Sequence, residues 1–338
     1  MPQNSTKPRL PKKGWIALIL ALLVLAANFI LTQIGSDLLP DAVTDIAEGV
    51  VATSVQELRS DAPTDVPGAT PTSQTKPTTA PTKVIASELD PTTQPPAPST
   101  ADDGIWEGVI AQGFDRYVLA LSWEPAFCET RPDKEECVTQ SAVRFDADNF
   151  VLHGLWPDDG DRDYNDTSYC DVSQSLIQQD KAGDWCDMPA LSLSDTLADD
   201  LFVLMPGATS CLQNHEWTKH GTCSELTPEA YYALSNHLTA LFSQTEFNAY
   251  VADRVGTEVA RSELLDQFEA EFGAGNDRYL SLRCDEVQGT SMLTELYITV
   301  KQEIDATDSF DELFPDFDVR PQGSCPRNFW IDEVGIGN

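Results

Sequence analysis

Phe150-Val151-Leu152-His153-Gly154-Leu155-Trp156-Pro157-Asp158 is a short apolar run that carries a single imidazole. Its composition and the proline near its end predict a buried strand over 150–156, ended by Pro157. A second such run, Tyr117-Val118-Leu119-Ala120-Leu121-Ser122-Trp123, lies upstream and is closed by Glu124-Pro125. Leu293-Thr294-Glu295-Leu296-Tyr297-Ile298-Thr299-Val300 and Asn328-Phe329-Trp330-Ile331 are also strand-like. Helix signals stand between these runs. Leu193-Ser194-Asp195 opens a helix expected to reach Met205 and stop at Pro206-Gly207. Thr227-Pro228-Glu229 supplies an N-cap, a first-turn proline and a first-turn acid for a helix over 228–243. A third helix is expected from Ser262 to Phe272, with Gly273 as terminator. Strands and helices mix without a regular βαβ alternation, and no internal repeat is present. The expected class is therefore α+β, a largely antiparallel central sheet packed with helices.

These signals all fall after residue 104, where the composition changes. Residues 105–338 hold all eight cysteines and carry 14 Lys/Arg against 44 Asp/Glu, within a chain of 338 residues and formal net charge −34. That is enough chain for a folded domain, and the even cysteine count without a CxxC pair reads as a disulfide framework in an oxidising compartment. The acidity is opposite to the basic footprint usual in nucleic-acid binders and fits a highly solvated surface. Residues 36–104 are dense in Pro, Thr, Ser, Ala and Asp, as in Thr92-Thr93-Gln94-Pro95-Pro96-Ala97-Pro98, and read as a disordered acidic tether with an amphipathic stub over 43–58. Residues 1–35 begin with a basic stub (Lys7, Arg9, Lys12, Lys13) followed over 14–35 by a mostly apolar stretch without charge. Roughly twenty such residues span a hydrocarbon core, and the basic flank keeps the N-terminus cytoplasmic. The expectation is a signal anchor. A signal peptide cleaved near Val24-Leu25-Ala26 is the rival, and either form exports the domain.

The chemistry concentrates in Asn214-His215-Glu216-Trp217-Thr218-Lys219-His220-Gly221-Thr222-Cys223, which holds two of the chain's four histidines. On a helix Glu216 and His220 share a face, with His215 and Lys219 on the adjoining stripe. A carboxylate beside an imidazole raises its basicity and fixes its tautomer, and Lys219 offers a compact cation to a phosphoryl oxygen. Zinc would need histidines four apart; these are five apart, about 500° of helical rotation, and point to different faces. His153 alone is more readily a packing histidine. With Gly154 allowing close approach and Trp156 offering a face to an unpaired base, it becomes a candidate second imidazole. Two imidazoles with a cation and a carboxylate suit acid–base cleavage of a phosphodiester.

The segments FVLHGLWPD and HEWTKHGTC resemble the two active-site segments of the ribonuclease T2 family, the base-nonspecific acid ribonucleases. FDRYVLALSW followed by Phe127-Cys128 resembles the start of bacterial members of the ribonuclease I type, and the similarity covers about residues 112–332. The resemblance implies that His220 takes the proton from the ribose 2′-hydroxyl and His153 protonates the leaving 5′-oxygen. Glu216 and Lys219 would support the pentacovalent phosphorane and His215 would hold the phosphate. Trp156, Asp158 and Tyr164 match base-contacting positions. The resemblance also implies the pairs Cys128–Cys137, Cys170–Cys223, Cys186–Cys211 and Cys284–Cys325, stapling a single domain. The expected protein is an exported, monomeric, metal- and cofactor-free endoribonuclease acting on single-stranded RNA, held at the outer face of the cytoplasmic membrane by residues 14–35. A non-catalytic member that kept the fold is the leading rival, opposed by the presence of both histidines, Glu216 and Lys219. A metal-dependent phosphoesterase fails on ligand spacing.

Overall fold

The computed structural model describes residues 105–109, 112–160, 167–319 and 323–335. The anchor expected over 14–35, the stub over 43–58 and the rest of the tether to residue 104 lie outside these residues, as does Tyr164. Among the described residues no helix is long and apolar enough to cross a membrane.

The fold is α+β. Its strands are β1 (Arg116–Ser122), β2 (Val151–Asp158), β3 (Thr257–Ala260), β4 (Leu280–Val287), β5 (Thr290–Lys301) and β6 (Asn328–Ile331). The α-helices are α1 (Glu124–Thr130), α2 (Glu135–Val138), α3 (Gln174–Lys181), α4 (Asp195–Leu204), α5 (Leu212–Lys219), α6 (Pro228–Ser243), α7 (Glu246–Ala252) and α8 (Arg261–Phe272). β1 lies between β2 and β5 and is antiparallel to both, and β4 pairs antiparallel with β5. β6 joins β5 through one parallel pair, Met292 with Trp330, and continues antiparallel to β3.

Alternation along the central strands separates two faces. Leu119, Leu121, Leu296 and Ile298 are fully buried and enter the apolar core with Tyr231, Leu238 and Phe242 of α6. The opposite face carries Trp156, Glu295 and Tyr297, aligned through the register that pairs Val118 with Trp156, Ala120 with Tyr297 and Ser122 with Glu295. One face builds the core and the other is left for polar chemistry.

The caps act as the sequence signals them. Ser194 accepts a hydrogen bond from Leu197 N at the start of α4, and Thr227 accepts from Ala230 N at the start of α6. Gly273 ends α8 at φ +107°, a backbone conformation that favours glycine. Pro157 departs from expectation: β2 passes through it to Asp158. β2 is an edge strand, and the outward N–H and C=O of Leu155 are bound by the Tyr231 hydroxyl at 3.3 and 2.6 Å. Pro157, two residues on, turns its nitrogen to the same outer side and costs the ladder no donor.

Two tyrosines and two disulfides then join the histidine segments. Tyr231 holds β2, and its neighbour Tyr232 donates to Gln213 O of α5 at 2.5 Å. Cys186–Cys211 fixes the residue before α5, and Cys170–Cys223 fixes the turn after it. Cys128–Cys137 joins α1 to α2, and Cys284–Cys325 ties β4 to the approach to β6. These four pairings are the ones the resemblance implies, and they mark an exported protein. Replacing Cys170 and Cys223 together by serine opens a link across 53 residues and should cost about 2–5 kcal/mol in urea unfolding. A loss under about 1 kcal/mol would show that packing alone holds the segments together.

Candidate active site

His153 comes from an irregularity in β2. Gly154 pairs with Ala120 and Leu152 with Leu121, so His153 is the extra residue of a β-bulge. A bulge re-aims one side chain without altering the strand on either side, which is why such residues gather at functional sites. The imidazole is brought among polar groups: its Nδ1 lies 2.5 Å from Glu295 Oε1 of β5, and its Nε2 lies 3.5 Å from Glu216 Oε1 of α5.

Glu216 is the hub. It is 1% exposed, and its Oε2 accepts a 2.7 Å hydrogen bond from the Trp156 indole. Its Oε1 faces His153 and, at 3.7 Å, Nε2 of His215. His215 turns Nδ1 to Asp180 of α3 at 2.7 Å and stacks on Trp185 with ring centroids 4.7 Å apart. The Asp180 carboxylate also accepts from the Tyr169 hydroxyl at 2.7 Å. A chain of alternating carboxylates and imidazoles runs from Glu295 through His153, Glu216 and His215 to Asp180.

α5 ends at Lys219, and His220 caps it while its N–H still donates to Glu216 O at 2.9 Å. That bond keeps the helical spacing between Glu216 and His220. The His220 ring is buried and stacks on Trp156, centroids 5.1 Å apart; the His153 ring meets the same indole edge-on at 5.5 Å. Two imidazoles from distant segments therefore meet at one tryptophan.

Their protonation preferences are opposite. Burial favours neutral His153, but the hydrogen bonds and negative charges of Glu216 and Glu295 outweigh it and push the pKa up to about 10. Burial also favours neutral His220, and there it wins. Glu216 opposes it, while Lys219, His215 and His153 add to it, leaving the pKa at about 3. Burial would raise Glu216, but His153 and the neighbouring histidines hold it down at about 2. The expectation that Glu216 would raise the basicity of His220 is thus corrected. The carboxylate oxygens are directed to His153, His215 and Trp156, and desolvation decides for His220.

The sequence pattern of the Ribonuclease T2 family matches residues 114–309. The chain belongs to that family. It is an RNA-cleaving endoribonuclease, 32% identical over 241 residues to "Ribonuclease I" of Escherichia coli (strain K12), an alignment covering 66% of this chain and 87% of the relative. To "Intracellular ribonuclease LX" of Solanum lycopersicum it is 28% identical over 222 residues, covering 64% and 82%. A solved structure, ribonuclease MC1 from the seeds of bitter gourd, aligns with TM-score 0.44 and 20% identity, covering 64% of this chain and all of that one.

In this ribonuclease His153, His215, Glu216, His220 and Trp156 come together, and half-buried Lys219 follows on the last turn of α5. Trp156 is built into the cluster through Glu216 and His220 as well as being a candidate base contact. Asp158 stands at the end of β2, 3.5 Å from Arg116. Sequence reasoning missed Glu295, Tyr297, Asp180 and Trp185. Glu295 did leave a signal, as the one acid in the otherwise uncharged stretch from Thr290 to Val300. Asp180 left none, because a charge near a helix end is ordinary.

Gly154 is the tightest fit in the site. A Cβ there would overlap Glu216 Oε2 and stand 2.5 Å from the Trp156 Nε1. Gly154→Ala should therefore displace the carboxylate and lower kcat by on the order of 10², the cost of a misplacement of about 1 Å. Unchanged kcat in a folded Gly154→Ala variant would show that the close approach is dispensable.

Proposed function

We propose that this enzyme cleaves single-stranded RNA by metal-independent transphosphorylation, leaving 2′,3′-cyclic phosphate ends with little base preference. The observation that carries the reading is the meeting at Trp156 of one imidazole that burial keeps neutral and one that two carboxylates keep protonated. Neutral His220 accepts the proton of the ribose 2′-hydroxyl as that oxygen bonds to phosphorus. The bond from phosphorus to the 5′-oxygen breaks, and His153 donates its proton to the departing oxygen. Lys219 meets the charge on the phosphorane, Glu216 supports it by holding both His153 and Trp156, and His215 binds the phosphate. Trp156, Asp158 and Tyr164 contact the base through stacking and polar edges, a mode tolerant of base identity. No step calls for a cofactor.

The catalytic domain acts as a monomer beyond the cytoplasmic membrane, on its periplasmic or extracellular side. Residues 14–35 anchor it and 36–104 form the tether. The disulfides and the uncharged apolar stretch behind a basic flank support this placement.

The pH dependence follows by sign. Neutral His220 is the active form, so rate is lost only as pH falls toward its depressed pKa. Protonated His153 is the active form, so rate is lost as pH rises toward its elevated pKa. The pH–rate curve should be a broad bell, active well below pH 6.5. Alanine at His153 or His220 should lower the rate by about 10²–10⁴, chelator should leave it unchanged, and DNA and 2′-O-methyl RNA should bind uncut. Cleavage of DNA, or a chelator loss restored by metal, would sink the assignment.

Salt offers a separate test. At very low salt the domain's excess acid should repel RNA over roughly 30 Å or more, a reach that shrinks to ~10 Å at 0.1 M, while local phosphate contacts act at shorter range. Raising salt from very low levels should first increase kcat/KM and then decrease it. A monotonic fall would show that local attraction governs association throughout.

A further inference from the structure

We infer that Glu295 is a positioning residue for the acid step: from a strand outside both histidine segments, it holds His153 by Nδ1 and leaves Nε2, on the Glu216 side of the ring, as the nitrogen that gives up the proton. The inference rests on the proposed reading of His153 as the acid.

The need for such a residue comes from the bulge. His153 is the one residue of β2 between Val151 and Asp158 without a partner in the β1 ladder, so strand pairing alone does not fix the aim of its ring. Glu295 supplies the missing constraint from β5, across β1 in register with Ser122. Both of its oxygens are engaged. Oε1 is 2.5 Å from His153 Nδ1, and Oε2 accepts a 2.8 Å hydrogen bond from Tyr297, two residues along the same strand face. Tyr297 is itself confined, with its ring edge-on to Trp156 at 5.0 Å and the Arg283 guanidinium 5.4 Å from its centroid. The carboxylate that holds the acid is therefore braced against the tryptophan that meets the base.

An ionised carboxylate only accepts, so Nδ1 keeps its proton and Nε2 carries the transferable one. When Nε2–H passes to the 5′-oxygen, the neutral ring left behind is the Nδ1–H tautomer. It still donates to Glu295, with Nε2 facing the site. Charged and titratable groups face His153 from three directions. Glu216 comes from α5, with His220 at its end; Glu295 and Tyr297 come from β5; buried Glu124 acts from α1. Arg283 of β4 acts on the ring through Glu295. Among the described residues, Glu216 and Glu295 are the charged groups that touch the ring nitrogens, one on each side.

The test compares Glu295→Gln, Glu295→Ala, Tyr297→Phe and His153→Ala in the full chain, by kcat and KM across pH and by NMR titration of the His153 imidazole. Glutamine retains an acceptor but not the charge. Glu295→Gln should shift the alkaline limb and the His153 titration down together, by about 1–3 pH units. Glu295→Ala should lower kcat by about 10–100-fold with little change in KM, the range for groups that orient a functional imidazole. Tyr297→Phe should shift the limb in the same direction by less. If Glu295→Ala does not fold, the near-isosteric Glu295→Gln and Tyr297→Phe decide. A wild-type alkaline limb and His153 titration in Glu295→Gln would overturn the inference, while loss of activity in His153→Ala would leave the acid assignment standing. Full activity in His153→Ala would instead overturn the reading beneath it.

Discussion

Glu216 is an ionised carboxylate taken almost wholly out of water, and the site is arranged around the cost of that burial. An unpaired buried charge is prohibitive, and one that is paired and hydrogen-bonded is tolerated. The compensation comes from the indole N–H of Trp156 and from the inner nitrogens of His153 and His215. Each requires close approach, which explains the glycine that follows His153 within β2. The two sequence segments are thus two halves of one charge-compensation problem. The first supplies His153 and Trp156 on a strand, and the second supplies the carboxylate and His215 on a helix.

Holding the halves together falls to parts that do no chemistry. Tyr231 and Tyr232 are fully buried neighbours on α6, one bonded to the backbone of β2 and the other to that of α5. Disulfides bracket α5 at both ends. Because Glu216 on α5 meets both His153 and Trp156 on β2, a small slide of α5 along β2 would break both contacts at once. The scaffold is strongest where the electrostatics tolerate least displacement.

Local rules explain what was legible in the sequence. The caps of α4 and α6, the termination of α8 and the apolar runs of β1, β5 and β6 depend on neighbours in the chain. Pro157 misleads because its meaning depends on β2 being an edge strand, a property of the assembled sheet. β4 is obscured by Arg283, Asp285 and Glu286, which suit a partly exposed strand; its hairpin to β5 turns on Gln288 and Gly289, both at positive φ. In the site, the two motifs name the groups that meet but not their partners. Glu295 and Asp180 reach the imidazoles from β5 and α3, and the cross-strand register that delivers Glu295 does not exist until the sheet forms. The pKa order had the same obstacle. Adjacency in sequence suggested Glu216 would raise His220, whereas burial and the direction of its oxygens favoured His153.

The same distinction resolves the acidity of the domain. Among the described residues, five of its basic side chains stand on the groups that build the site. Arg116 faces Asp158, Lys134 lies over the Trp185 that stacks on His215, Lys181 lies over Tyr169, Arg283 lies over Tyr297, and Lys219 ends α5. Net charge governs the field at distances comparable to the whole domain, where salt screens it. At the few ångströms over which a phosphate is held, nearby cations and oriented imidazoles outweigh distant carboxylates, because interaction energy falls with distance and rises as water is excluded. An acidic exterior is therefore compatible with the phosphate-binding interior that the proposed function requires. In the proposed reading the first acts on how RNA approaches, and the second acts once a phosphodiester lies between His153 and His220.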